Sequence, residues 1–140
     1  MQPQVCAGAF LVKKNKFLFG KRSKDKSWAP RMWDIVGGRS LKHEHPLLTM
    51  SRETFEEVGV KVLNAELLTS TNVADNSKAG SFNYYVYMVT GFKGKPVNCS
   101  KEHSKIKWFT RKELDKISIA LPQYLVLIDE WLARQNESAV

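Results

Sequence analysis

The segment from Pro46 to Gly59 constrains the fold more than any other part of the sequence. It is rich in helix-forming residues, it opens on a proline, which suits a first helical turn, and it ends at a glycine, a natural C-terminal cap. We therefore predict a helix of about three turns over 46–58. The residues of the arc that we expect it to bury are Leu47, Leu48, Met50, Thr54, Phe55 and Val58.

Three glutamates share the other edge of this predicted helix. Glu53, Glu56 and Glu57 are spaced at i, i+3 and i+4, which places them within an arc of about 100°. Like charges at this spacing destabilise a helix, so something should compensate for them. A hard divalent cation such as Mg²⁺ or Mn²⁺ would do so, with Glu44 and the backbone carbonyl of Gly38 as further oxygen ligands. The alternative is an ordinary solvated acidic helix face.

The rest of the chain alternates strand-like and helical segments. Strands are predicted at Val5–Val12, Phe17–Lys21, Trp33–Val36, Val60–Leu68, Phe82–Phe92 and Ile106–Phe109. The third should end at the pair Gly37-Gly38, and a loop containing residues 75–80 should separate the fourth from the fifth. A helical turn at 111–114 and a helix opening at Pro122 follow. The pattern predicts one α/β domain over residues 1–140, with a mixed sheet and helices on its faces.

Composition excludes some classes of protein. No apolar run approaches the roughly 20 residues that a membrane-spanning helix needs, and the start lacks the features of a secretory signal, so we expect a cytoplasmic protein that does not bind membranes. Cys6 and Cys99 form neither a metal-ligand pair nor a disulfide framework, which predicts thiols. The 22 Lys and Arg against 14 Asp and Glu give a net charge of +8, which favours encounter with polyanions.

The acidic helix is part of a longer pattern. From Gly38 the sequence reads Gly, five residues, Glu44, seven residues, Arg52-Glu53, Thr54, any residue, Glu56-Glu57, any residue, Gly59-Val60. This resembles the Nudix box, and every fixed Gly, Glu and Arg of that motif is matched. The chain departs from the motif's usual residues at Leu41, His43 and Thr54. A looser likeness extends to Arg22, Pro30, Trp33, Glu102, Trp108 and Glu113-Leu114.

The resemblance implies a Nudix fold, in which a mixed β-sheet is sandwiched between helices in α/β/α layers. It also implies divalent-metal-dependent hydrolysis of a diphosphate linkage in a nucleoside triphosphate, a dinucleoside polyphosphate or a nucleotide sugar. Carried over by position, the metal ligands are Gly38, Glu53, Glu56 and Glu57, with Glu44 as an auxiliary. Arg52 would orient the acids through charge-assisted hydrogen bonds.

The general base is left open by the resemblance. Within the box Glu53 is a ligand or the base, whereas Glu57 counts as catalytic through the metal. Glu102, in a loop before a strand, is the candidate base outside the box, with a plain surface acid as the alternative. His103, its neighbour, is interpreted as structural. Substrate binding is assigned to Arg22, Trp33, Phe82 and Tyr84, with Trp28 and Lys24 as further candidates, although aromatic residues in strands more often belong to the core.

Two other functions compete with hydrolysis. One is an isopentenyl-diphosphate-isomerase-like activity, which needs a cysteine near the active centre that the context of Cys6 and of Cys99 does not indicate. The other is a non-catalytic nucleotide- or RNA-binding module, whose mark would be the loss of box acids, and none is lost. The expected partner is a small nucleotide, with capped RNA left open and the protein a monomer or a homodimer.

Overall fold

A computed structural model of the chain describes residues 3–75 and 80–138. In chain order its elements are β1 (Gln4–Lys13), β2 (Lys16–Arg22), β3 (Trp33–Asp34), β4 (Val36–Arg39), α1 (Pro46–Val58), β5 (Lys61–Asp75), β6 (Gly80–Lys93), β7 (His103–Thr110), α2 (Arg111–Leu114) and α3 (Gln123–Ser138). No helix in these two ranges combines the length and the apolar character needed to cross a membrane.

Strand β1 lies at the centre of the sheet. It pairs parallel with β6 and antiparallel with β2 and β4, which makes the sheet mixed. Beyond β6 the sheet continues antiparallel into β5, and β2 carries β3 and β7, both antiparallel to it. β1 is buried along most of its length. Its pairing with β4 fixes the position of that strand, and β4 leads into α1.

The side chains of β1 alternate between two cores, as the pleat of a strand requires. One core lies under α1 and contains Ala7, Ala9, Leu11, Met50 and Val58. The other lies under α3 and contains Phe10, Val12, Tyr124, Ile128 and Trp131. Helices therefore cover both faces of the sheet, and the predicted α/β/α layering is confirmed.

Helix α1 has the bounds that the sequence predicts. His45 precedes it and accepts a hydrogen bond on its Nδ1 from the Leu47 N–H at 3.1 Å, which satisfies one of the free N–H groups of the first turn. Gly59 ends it in the left-handed region, at φ 74°, where glycine is favoured. These local caps explain why the sequence located both ends.

The prediction of the buried arc of α1 is wrong at three positions. Leu47, Leu48 and Phe55 are exposed, and the inward positions hold Thr49, Met50, Thr54, Glu57 and Val58 instead. The helix is turned about its axis relative to the predicted orientation, because the Glu57 carboxylate accepts the Gly37 N–H of β4 and is drawn under the helix.

Several strand boundaries also differ from the prediction: β5 runs on to Asp75, β7 begins at His103, and the region of β3 and β4 differs most. The expected strand Trp33–Val36 is split, because Trp33–Asp34 pairs with β2 whereas Val36–Arg39 pairs with β1. The glycine pair lies inside β4 and does not end it. At Gly37 a Cβ would lie 2.4 Å from the Ala7 carbonyl oxygen, so the approach of β1 requires glycine there. Of the predicted loop at 75–80, residues 76–79 lie outside the described residues.

A buried polar chain joins α3 to the sheet. The Tyr124 hydroxyl donates to Asp34 Oδ1 at 2.6 Å, and its oxygen lies 2.9 Å from the Tyr84 hydroxyl. Gly8 leaves room for this chain, since a Cβ there would lie 2.6 Å from Tyr84 Oη. A buried carboxylate needs such donors, so the contact holds α3 in register with β3.

We predict that Tyr124→Phe lowers the free energy of unfolding by about 1 to 3 kcal/mol, because the Asp34 carboxylate loses a donor while it stays buried. Chemical denaturation followed by far-UV circular dichroism measures this. The control is Tyr85→Phe, a half-buried tyrosine on the neighbouring position of β6, which should change stability by less than about 0.5 kcal/mol. Equal losses in the two variants would contradict the role of the buried chain.

Candidate active site

A cleft of about 600 Å³ opens where α1, β4 and β6 meet the loops before β3 and β7. It brings together three kinds of side chain. Its acidic residues are Asp34, Glu53, Glu57 and Glu102, its basic residues are Arg22, Lys26 and Arg39, and its aromatic residues are Trp28, Phe82 and Tyr84. Cys6, Gly37, Gly38 and His103 also line it. The cleft thus contains most of the predicted site residues.

Glu57 is the most buried of the predicted metal ligands, with only 4% of its side chain exposed. Its Oε2 accepts the Gly37 N–H at 2.7 Å. Burial, reinforced by the charges of Glu53 and Glu102, raises the pKa of Glu57 to about 9, although the bond from Gly37 opposes the shift. Without a cation this carboxyl therefore holds a proton at neutral pH.

His103 stands against Glu57, as a supporting group. Its Nδ1 lies 3.8 Å from Glu57 Oε1 and is buried without a hydrogen-bond partner in the described ranges. Burial lowers the pKa of His103, so the ring is neutral at physiological pH. The ring also fills the space beside Gly20, where a Cβ would lie 2.5 Å from His103 Cγ. This position suits the structural role expected for it.

Glu53 lies directly against the backbone of Gly38. Both of its carboxylate oxygens are 2.7 Å from the place that a Cβ at position 38 would occupy. Burial also raises the pKa of Glu53, against the opposing effect of Arg52. A glycine at 38 is therefore required for this carboxylate to reach the cleft beside the β4 backbone.

Arg52 is the hub of the acidic residues. Its Nε and Nη2 donate to the two oxygens of Glu44 at 2.9 and 3.0 Å, and its Nη1 donates to Glu53 at 2.9 Å. The same Nη1 lies 3.3 Å from Glu56 Oε2, and Nη2 also donates to the Arg39 carbonyl at 3.0 Å. One guanidinium thus binds three carboxylates of the motif, as the orienting role predicted for it requires.

The loop before α1 forms a hydrogen-bonded turn although Leu41 and His43 depart from the motif. The Glu44 N–H donates to the Leu41 carbonyl at 3.0 Å, and His43 adopts φ 66°, a left-handed conformation that favours glycine. Glu44 accepts further bonds from the Leu41 N–H and from Thr49. Arg52 and the Leu41 N–H lower the pKa of Glu44 to about 2. Its oxygens are thus engaged in holding Arg52.

The oxygen donors suit a hard divalent cation in kind, though they are not gathered around one point. No group of three or more His, Cys, Asp or Glu side chains among residues 3–75 and 80–138 has the geometry of a metal site. Glu56 is 54% exposed and is held with Glu53 by Arg52. Nevertheless Glu53 and Glu57 face the cleft beside Gly38, and the buried Glu57 carboxylate has a single short hydrogen bond. A cation would compensate for that burial.

The predicted substrate-binding residues divide into two groups. Arg22, Phe82 and Tyr84 line the cleft, with the Tyr84 hydroxyl turned into the core. Trp33, the fourth predicted substrate contact, does not line the cleft. Its ring is 8% exposed and packs at 4.9 Å on Phe109, because β3 directs it under α3. Burial of its large apolar surface is the commoner use of such a residue.

Trp28, a further candidate for substrate binding, does line the cleft. Arg22 Nε donates to the Trp28 carbonyl at 2.8 Å, and the guanidinium stands 4.9 Å from the centre of the Trp28 ring. The Trp28 ring contacts the Phe82 ring edge-on, with 5.9 Å between the two ring centres. Two aromatic rings that meet over a cleft form a surface on which a planar group can stack.

Sequence reasoning missed several residues of the cleft, among them Asp34, Arg39, Lys26 and Cys6. Lys24, by contrast, was a further candidate for substrate binding, and it is exposed and does not line the cleft. Lys26 forms an ion pair with Glu102. Nothing local distinguishes Lys26 from Lys24, because both belong to one charged loop and only the path of that loop separates them.

The comparisons with known proteins agree with this geometry. The model of a family described as NUDIX domain matches residues 2–129. The 8-oxo-dGTP diphosphatase of Buchnera aphidicola is 26% identical over 119 residues, which cover 85% of this chain and 86% of that protein. Among solved structures, a MutT NUDIX hydrolase from Burkholderia pseudomallei is 26% identical with a TM-score of 0.73, over 80% of this chain and 86% of its own. The MutT protein from Methanosarcina mazei shares the fold at 18% identity, with a TM-score of 0.80 and 96% of each chain covered.

We predict that Glu57→Gln stabilises the chelator-treated protein, increasingly so as the pH rises from about 5 to 9. The folded state holds the Glu57 proton more tightly than the unfolded state, because the pKa rises from 4.5 to about 9 on folding. The stability that this proton contributes is complete below the unfolded pKa and is lost as the pH rises through the folded one. Glutamine has no such proton to lose.

Thermal unfolding at a series of pH values, in buffer with a chelator, measures this difference. The control is Glu130→Gln, at an exposed glutamate of α3 outside the cleft, whose midpoint should follow that of the unmodified protein. A gap between Glu57→Gln and the unmodified protein that stays constant with pH would contradict the assignment.

Proposed function

The chain belongs to the NUDIX family and is a pyrophosphohydrolase, and from that premise we propose that it cleaves the diphosphate linkage of a nucleoside triphosphate, a dinucleoside polyphosphate or a nucleotide sugar with the help of Mg²⁺ or Mn²⁺. The proposal rests above all on two carboxylates, the buried Glu57 and the half-buried Glu53, which face a cleft with basic and aromatic walls. We propose that residues 1–140 act as one domain. Because one relative is named for its action on 8-oxo-dGTP, purine deoxynucleoside triphosphates are the first substrates to test.

Members of the family generally need a divalent metal ion. We assign it to the carboxylates of Glu53, Glu56 and Glu57 and to the carbonyl of Gly38. When bound, the cation would orient the diphosphate, neutralise charge on its oxygens and lower the pKa of a water molecule. Arg52 acts on this set from outside the cleft, where its bonds to Glu53 and Glu56 fix the direction of their oxygens.

In the proposed reaction a water oxygen attacks phosphorus and forms a new P–O bond. The bond from that phosphorus to the bridging oxygen breaks, and the leaving phosphate departs with the electron pair. A carboxylate takes the proton of the water. Glu102 is our candidate base, because it lines the cleft and its charge is close enough to Glu53 and Glu57 to raise the pKa of each. Glu53 is the alternative base within the motif.

The other end of the cleft suits a nucleoside. Trp28 and Phe82 offer ring faces and edges for a base, and stacking of this kind accepts any base. Arg22 is fixed beside them by the Trp28 carbonyl and by Asp34 Oδ2 at 3.3 Å. A nucleotide bound with its base on Trp28 would extend its phosphates towards Glu53 and Glu57.

The test of the reaction class is a substrate panel with product analysis by chromatography. It includes nucleoside triphosphates with 8-oxo-dGTP, dinucleoside polyphosphates, ADP-ribose, NADH and capped RNA, each with Mg²⁺, with Mn²⁺ and with a chelator. Release of a nucleoside monophosphate that stops with chelator is the expected result. Binding of a compound without cleavage of any would favour the non-catalytic alternative.

The isomerase alternative gains one observation from the structure, since Cys6 lines the cleft. Isopentenyl diphosphate therefore belongs in the panel, with Cys6→Ala as the diagnostic variant. Isomerisation that Cys6→Ala abolishes would favour that alternative. Hydrolysis that survives Cys6→Ala is the result we expect, because the acids of the motif do not need a thiol.

We predict that Glu56→Gln and Glu57→Gln each lower kcat by more than about a hundredfold, because each removes a charged ligand of the cation. Circular dichroism should show that both variants keep the fold. Glu130→Gln, on the exposed surface of α3, makes the same chemical change outside the cleft and should keep its activity. Full activity in either of the first two variants would refute the assignment of metal ligands.

A further inference from the structure

An ion pair between Lys26 and Glu102 stands in the cleft that the proposed function uses. It joins the loop after β2 to the loop before β7. The Lys26 side chain is 30% exposed and the Glu102 side chain 52% exposed, so both groups are accessible from solvent. An ion pair at this exposure is weak and its members can exchange partners readily.

The backbones that carry this pair are fixed to one another. The Ser23 N–H donates to the Glu102 carbonyl at 3.1 Å, and the Ser23 hydroxyl donates to the Lys101 carbonyl at 2.7 Å. The Glu102 N–H in turn donates to the Ser100 hydroxyl at 2.8 Å. With the two loops tied at their backbones, a change of partner involves side-chain rotation alone.

Two cations of the cleft, Arg22 at the end of β2 and Lys26 in the loop after it, stand close to one another in the chain, and Lys26 is the better able of the two to change partners. Arg22 is committed to the Trp28 carbonyl, the Trp28 ring and Asp34, so its guanidinium is fixed from three sides. Lys26 has one carboxylate partner among the described residues, and its ammonium is a compact charge on a flexible stem. A diphosphate carries more negative charge than a single carboxylate and offers more acceptor oxygens.

We propose that Lys26 is a positioning residue that exchanges partners when substrate binds. In the free protein it holds the Glu102 carboxylate, and in the complex its ammonium moves to an oxygen of the diphosphate. Glu102 is then left unpaired, close to Glu53 and Glu57. The proposal rests on the proposed function, and it deepens it, because the candidate base is released only when a phosphorylated substrate is present.

The exchange has a thermodynamic consequence that needs no turnover. Glu102 competes with phosphate for Lys26, so removing the Glu102 charge should tighten binding of a diphosphate. Any acid near a bound anion has a similar general effect through its charge. The part of the gain that arises from competition for Lys26 differs from this general effect, because it disappears when the lysine is absent.

The experiment is a double-mutant cycle read by isothermal titration calorimetry, with inorganic pyrophosphate as the ligand and Mg²⁺ present. Glu102→Gln should bind pyrophosphate about two- to fivefold more tightly than the unmodified protein. Lys26→Met should bind it about tenfold more weakly. In the Lys26→Met background, the gain from Glu102→Gln should fall to the smaller, general effect of its charge. In a Lys26→Arg background, the full gain from Glu102→Gln should return.

The matched control is Lys24→Met, which removes the same charge from the same loop at an exposed position outside the cleft. In that background the gain from Glu102→Gln should persist. A gain of equal size with and without Lys26 would overturn the exchange, and so would an absence of pyrophosphate binding in the unmodified protein. Because pyrophosphate binding is separate from the substrate panel, failure of the exchange and failure of the hydrolase proposal are distinguishable.

Discussion

The arrangement of the cleft depends on the burial of one carboxylate, that of Glu57, against the backbone of β4. Its bond from the Gly37 N–H fixes the last turn of α1 to the sheet, and the preceding turn then brings Glu53 against Gly38. Burial of a charge is costly unless a proton or a cation compensates for it, and here the pKa of Glu57 rises to about 9. The contact that orients α1 is therefore also the one that makes the cleft receptive to a cation.

Arg52 makes such a concentration of acids compatible with a folded helix. Its planar guanidinium reaches Glu44, Glu53 and Glu56 at once and still donates to a backbone carbonyl of β4. A lysine could not do this, because its ammonium is a single point on a flexible stem. Glu44 acts together with Arg52, since its carboxylate accepts two hydrogen bonds from the guanidinium and holds it in place. Of the four acids of the motif, Glu53 and Glu57 therefore face the cleft, Glu56 is exposed beside it, and Glu44 supports Arg52.

Sequence reasoning succeeded where the determinants are local. The ends of α1 follow from Pro46 and Gly59, and the spacing of the motif placed its acids on one helix. It failed where long-range packing decides. Trp33 is buried because β3 turns it under α3, and Phe55 is exposed because Glu57 takes the inward position. The sequence does not distinguish Lys26 from its neighbours, because Lys26 meets Glu102 only when its loop folds onto the loop that carries Glu102.

The distribution of charge in the cleft sets an order of events for the binding of an anion. Without a cation, the Glu53 and Glu57 carboxyl groups on the floor of the cleft offer a phosphate chain no positive charge, whereas the basic residues of the walls, Arg22, Lys26 and Arg39, attract it. Attraction at the walls alone would hold the anion away from the acids. A divalent cation bound at the floor would displace the Glu57 proton and bring positive charge there, so that both regions attract the diphosphate, and phosphate chain and cation would each strengthen the binding of the other. The net charge of +8 then favours encounter, while in the proposed reaction productive binding would depend on the metal.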